Sequence, residues 1–114
     1  MRQADGTLIQ NRYKQCTIKS VDEALAFDWD SANIGHIARH GILPLEAEQV
    51  ILNDPLDLRG ETVDGEERML SLGMTNVGRL LVVVTTMRYP KVRVVTAFPA
   101  TKRMQLIYLK EKGL

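Results

Sequence analysis

Cysteine is almost missing. Cys16 stands alone in 114 residues, so no intrachain disulfide can form and burial must hold the fold. Aromatic residues make up 5% of the chain, which leaves little material for stacking on nucleobases. Leu80-Leu81-Val82-Val83-Val84 is the longest aliphatic run, far short of the roughly 18 residues that suggest a membrane span. The opening residues lack the charged, apolar and small-residue order of a secretory signal. There is no nucleophile elbow, phosphate-binding glycine loop or dinucleotide fingerprint, so serine hydrolase, kinase and dehydrogenase chemistry lack their parts. These absences lead to the expectation of a cytoplasmic protein with no membrane partner and no cofactor.

What is present is the material of one ordinary domain: 45% hydrophobic and 25% charged residues. The net charge of +1 conceals an uneven distribution. Residues 79–114 hold eight bases against Glu111 alone, +7, while residues 1–78 hold seven bases and thirteen acids, −6. Such asymmetry suits a polyanion or an acidic partner. The alternative is that folding interleaves the two parts and averages the surface.

Residues 1–20 are polar and aperiodic, and read as a flexible lead before a single domain over 21–114. Leu25, Phe27 and Trp29 alternate with polar neighbours, a short strand pattern. Ser31 is placed to cap a helix running to about Arg39, and Gly41 to stop it. Pro44 opens a second helix that Asn53-Asp54-Pro55 ends. The period then changes. Leu58 to Val63, Arg68 to Gly73, Arg79 to Arg88 and Lys91 to Phe98 read as strands, with turns at Asp64-Gly65, Asn76-Val77-Gly78 and Tyr89-Pro90. In the last strand Val92, Val94 and Thr96 fall on one face, and Arg93, Val95 and Ala97 on the other. Thr101 caps a final helix. The layout is α+β: an antiparallel meander packed against two N-terminal helices, with a C-terminal helix, all the helices expected on one face.

His36 and His40 lie one turn apart, a spacing that can present two imidazoles to a metal. No further ligand accompanies them in an obvious motif, so no metal site is expected. The plainer reading has both edging the core and bonded to backbone, with proton transfer by His40 still open. Glu67 and Arg68 open one strand, Arg79 the next, and Arg93 lies within the last. Cross-strand neighbours sit roughly 5 Å apart, so these side chains could converge on a patch with Lys102 and Arg103. Clustered guanidinium groups suit phosphodiesters; ordinary ion pairing with carboxylates is the alternative. Met104, Leu106, Ile107, Tyr108 and Leu109 leave the last helix apolar almost all round, so one side is expected to await a partner, with Met104 and Tyr108 as contacts.

Trp29-Asp30, Asn33, His36 and Ile37-Ala38-Arg39-His40-Gly41 together resemble the opening of the BrnT family of type II toxins. Asn53-Asp54-Pro55, Gly65-Glu66-Glu67-Arg68, Gly78-Arg79-Leu80, Arg93-Val94-Val95-Thr96-Ala97 and Ala100-Thr101-Lys102-Arg103 continue the likeness over about residues 26–108. The resemblance implies a RelE-like fold and a ribonuclease that arrests translation without a metal. It also implies a neutralising antitoxin, through which alone the pair binds DNA. His40, Glu67, Arg68, Arg79 and Arg93 are the catalytic positions it carries over, and Arg39, Lys102 and Arg103 are the expected RNA contacts. The chain departs from the family pattern at Phe98, where arginine is commoner, and at Met104-Gln105. A non-catalytic toxin-like interaction module is the second reading.

Overall fold

The computed structural model describes residues 25–113. The expected lead over 1–20, and residues 21–24 at the start of the expected domain, lie outside them. Helix α1 spans Ser31–Ala38 and α2 spans Pro44–Leu52. Strands β1 (Leu56–Val63), β2 (Glu66–Met74), β3 (Leu80–Arg88) and β4 (Lys91–Pro99) follow, then helix α3 (Lys102–Glu111). The strands form one antiparallel sheet in sequence order. The expected α+β meander with two N-terminal helices and one C-terminal helix is what the chain adopts.

Local chemistry explains the boundaries. The cap of α1 is Asp30, one residue before the expected Ser31. Its Oδ1 accepts the Ala32 and Asn33 N–H groups, and Asn33 Oδ1 accepts the Asp30 N–H, closing a reciprocal capping box. Pro44 opens α2, and Glu46 accepts the Leu43 N–H at 3.0 Å. Asp64 and Gly65 both take positive φ, 51° and 80°, the requirement of the two-residue hairpin joining β1 to β2. Thr101 Oγ1 accepts the Met104 N–H and starts α3 as expected.

The helices do not share a face. Ile37, Ile42, Ala47, Val50 and Ile51 pack with Leu81, Val83, Val94 and Ala97, which puts α1 and α2 on one side of the sheet. Tyr108 and Ala100 pack with Leu70, Leu72, Val82 and Val84, which puts α3 on the other. β3 is therefore apolar on both faces because both are covered. Gly73 marks the tightest approach: a Cβ there would meet Pro55 Cβ at 3.1 Å and Val50 Cγ1 at 3.2 Å.

β4 carries a bulge. Val84 pairs with Thr96 and Thr85 with Val94, leaving Val95 extra. The phase of alternation changes there, so Val92, Val94 and Ala97 are all buried toward α1 or its approach, and Val95 and Phe98 pack on the α3 side. The uninterrupted alternation expected for this strand is corrected accordingly. The expected strand at 25–29 is one parallel bridge, Phe27 to Val92. It begins a cover for the edge of β4: Val92 C=O accepts the Asp28 N–H, Val94 C=O accepts Asn33 Nδ2, and Ala97 C=O accepts His40 Nδ1. An edge that would otherwise offer free carbonyls is thus satisfied by the segment 26–40.

Candidate functional site

The antiparallel register decides which of the expected site residues meet. Arg68 opens β2 and Arg79 precedes β3, and consecutive strands of a meander start at opposite ends of the sheet. Arg93 pairs with Thr86, seven residues beyond Arg79 along β3, or about 24 Å at the rise of an extended strand. The five catalytic candidates therefore fall into two groups. His40 and Arg79 lie at one end, and Glu67, Arg68 and Arg93 toward the other.

The Arg68 and Arg93 end is closed by carboxylates. Arg68 Nε and Arg88 Nη2 both bond Glu66 at 3.0 Å, and the two guanidinium groups hold the Glu66 carboxyl below the usual range, Arg88 most strongly. Arg93, with a side chain 16% exposed, sits 3.1 Å from Asp30 and 3.4 Å from Asp28. The Asp30 bond holds this guanidinium in its charged form and in turn lowers the Asp30 carboxyl. A groove of about 400 Å³ at this end is lined by Gly65, Glu66, Glu67, Thr86, Met87 and Tyr89. Its carboxylates have the wrong sign for a phosphodiester.

The His40 end differs. Its Nδ1 lies 2.9 Å from the Ala97 carbonyl oxygen. A carbonyl can only accept, so Nδ1 carries the hydrogen, and in the neutral ring Nε2 is the lone-pair nitrogen. The ring packs edge-on to Phe98 (centroids 6.4 Å apart) and to His36 (5.8 Å). Both histidines are exposed. His40 thus matches the expected backbone-bonded edge residue, whereas among the described residues the His36 ring bonds no backbone group. Among the described residues no third His, Cys, Asp or Glu completes a group of three with them.

Arg79 bonds the residue that follows this histidine. Its Nη1 donates to the Gly41 carbonyl at 3.0 Å and to both Glu46 oxygens at 3.1 Å. Gly41, at φ +74°, makes the turn that brings the end of α1 to Arg79. The Leu43 N–H, and then Arg79, hold the Glu46 carboxyl below its usual range. Arg39 ends α1 and is exposed; Lys102 and Arg103 form the first turn of α3 and are exposed. Among the described residues no carboxylate pairs with Arg39, Lys102 or Arg103. Two cations in the first turn also oppose the positive end of the helix dipole, so an anion there would be stabilised.

Of the expected partner contacts, Tyr108 is 7% exposed and packs on the sheet, and Met104 is half-buried beside it. The exposed apolar side of α3 is Leu106, Ile107 and Leu109. Asp28, Asp30, Glu46 and Glu66 are the carboxylates that occupy the arginines, and apart from Glu66 with Arg68 no local spacing pairs them with those partners. Asp30 had a visible signal, the Asp-x-x-Asn spacing of a capping box.

No curated protein matches the chain. A sequence model of the family described as the ribonuclease toxin BrnT of type II toxin-antitoxin systems matches residues 29–103. The matched stretch begins at Trp29, whose indole N–H bonds Glu48 of α2 at 2.7 Å, and takes in α1, α2, the whole sheet and the Lys102-Arg103 turn. The match thus spans the scaffold that ties the turn after His40 to Arg79, and, matched over about two thirds of its length, the chain belongs to the BrnT family of ribonuclease toxins of type II toxin-antitoxin systems.

Proposed function

We propose that this chain is a RelE-like, metal-independent endoribonuclease toxin that inhibits translation in the cytoplasm and is neutralised by a cognate antitoxin. DNA is contacted only through the complex with that antitoxin. Its cleavage site is the His40 end of the sheet. The observation that carries this reading is the His40 ring: one nitrogen is pinned to Ala97, the other makes no hydrogen bond among the described residues, and the exposed Arg39 precedes it in the chain. Nε2 takes the proton from the RNA 2′-hydroxyl. The 2′-oxygen attacks the adjacent phosphorus, the P–O5′ bond breaks, and the 5′-oxygen is protonated as it leaves. Arg39, Lys102 and Arg103 attract the phosphate chain, and Arg79, already oriented by Glu46 and Gly41, faces the charge that develops.

The purified protein is expected to cut RNA in EDTA, leaving 2′,3′-cyclic phosphate and 5′-hydroxyl ends. His40→Gln is expected to slow cutting by about 10²–10⁴, the usual contribution of general acid-base catalysis. Unchanged rates in that variant, or cutting that requires a divalent ion, would overturn the assignment. The ion-paired state of Arg68 and Arg93 favours one alternative, a toxin-like module that binds protein and leaves RNA intact; it predicts no cutting by the wild type.

A further inference from the structure

The cleavage just described needs two proton transfers, and one histidine performs only the first. A second imidazole stands beside it. His36 lies one helical turn before His40 on the same exposed side of α1, with ring centroids 5.8 Å apart and planes at 82°. Unlike His40, its ring makes no hydrogen bond among the described residues, so both nitrogens remain available. No carboxylate pairs with either ring among the described residues. The helix that carries both rings is anchored to the sheet twice, by the buried Asn33 to Val94 and by His40 to Ala97.

We infer that His36 is the general acid of the cleavage, protonating the 5′-oxygen as His40 deprotonates the 2′-hydroxyl; this rests on the ribonuclease reading above. The attacking and leaving oxygens lie on opposite sides of the phosphorus. Each needs a proton-transfer group within roughly 2.6–3.2 Å, and two rings 5.8 Å apart can flank one phosphate. As the O2′–P bond forms, Nε2 of His40 takes the 2′ proton. As the P–O5′ bond breaks, its electron pair goes to O5′, which receives the proton of the His36 imidazolium. Solvent then returns a proton to His36 and removes one from His40, so no further reactant is needed.

The test separates the acid from the base. The wild type is used to map a cut site in total bacterial RNA, and an oligoribonucleotide spanning that site is made in two forms. One has the natural scissile bond and the other has sulfur in place of the bridging 5′-oxygen. A thiolate leaves without protonation, because thiols are far more acidic than alcohols. His36→Gln is expected to cut the natural bond about 10²-fold or more slowly than the wild type and the sulfur-containing bond within a few-fold of it. His40→Gln is expected to be slow on both. A His36→Gln protein that matches the wild type on the natural bond, or is equally impaired on both, overturns the role of His36 while the ribonuclease reading stands. A wild type that cuts no RNA overturns both.

Discussion

Arg79 and Arg93 carry the same charge and do different work. Arg93 is mostly covered and fastens the Asp28–Asp30 approach of α1 to the sheet. Arg79 is 37% exposed at the side chain and bonds the Gly41 carbonyl, one residue past His40. The Arg93→Gln protein is therefore expected to lose stability before it loses chemistry. The Asp30 carboxyl is lowered chiefly by its bond from Arg93. A lowered folded value means that the pair stabilises fully above the unfolded carboxylate pKa, near pH 4, and loses that contribution as pH falls through the folded value. Urea midpoints measured from pH 7 to pH 3 should drop for the wild type below about pH 4. In Arg93→Gln the midpoint at pH 7 should be lower and the acid drop shallower; equal drops in the two proteins would refute the linkage.

At the scale of the element, α3 divides its apolar residues between two tasks. Met104 and Tyr108, four apart, face the sheet, and Leu106, Ile107 and Leu109 face outward. Tyr108→Ala should cost about 3 kcal/mol or more, as truncation of a buried aromatic does. Leu106→Asp should change stability by about 0.5 kcal/mol or less and weaken co-purification with the antitoxin that the family implies. Thermal denaturation and pull-down check the two halves. The four-residue spacing of Met104 and Tyr108 was in the sequence, and so were the four strands of the meander, their turns and the Thr101 cap, because those depend on near neighbours. The opposite ends of Arg68 and Arg79 also follow from a meander once strand starts are compared with strand directions. The bulge at Val95 could not be read: it depends on which residue faces which across β3 and β4, and no local pattern records that.

For the molecule as a whole, the charge division survives folding only in part. Arg93, Arg79, Arg88 and Lys112 each pair with an acid from residues 28–66, which is the interleaving that averages a surface. Among the described residues Lys102 and Arg103 escape it, as does Arg39 of the acidic part. Binding of a labelled single-stranded RNA should weaken as salt rises, since each cation on a phosphate releases counterions. Replacing Lys102 and Arg103 with glutamine should reduce the slope of log affinity against log salt by about 1.4, taking roughly 0.7 per contact for single strands. Fluorescence anisotropy gives that slope directly, and an unchanged value would remove the α3 turn from the RNA path. The imidazole at the end of α1 adds a consequence of its own. Its inner nitrogen secures the margin of β4 and its outer one meets solvent. A ligand on the outer nitrogen alone leaves the bond to Ala97 standing, so under the mechanism proposed above this toxin is expected to be silenced and revived without passing through an unfolded chain.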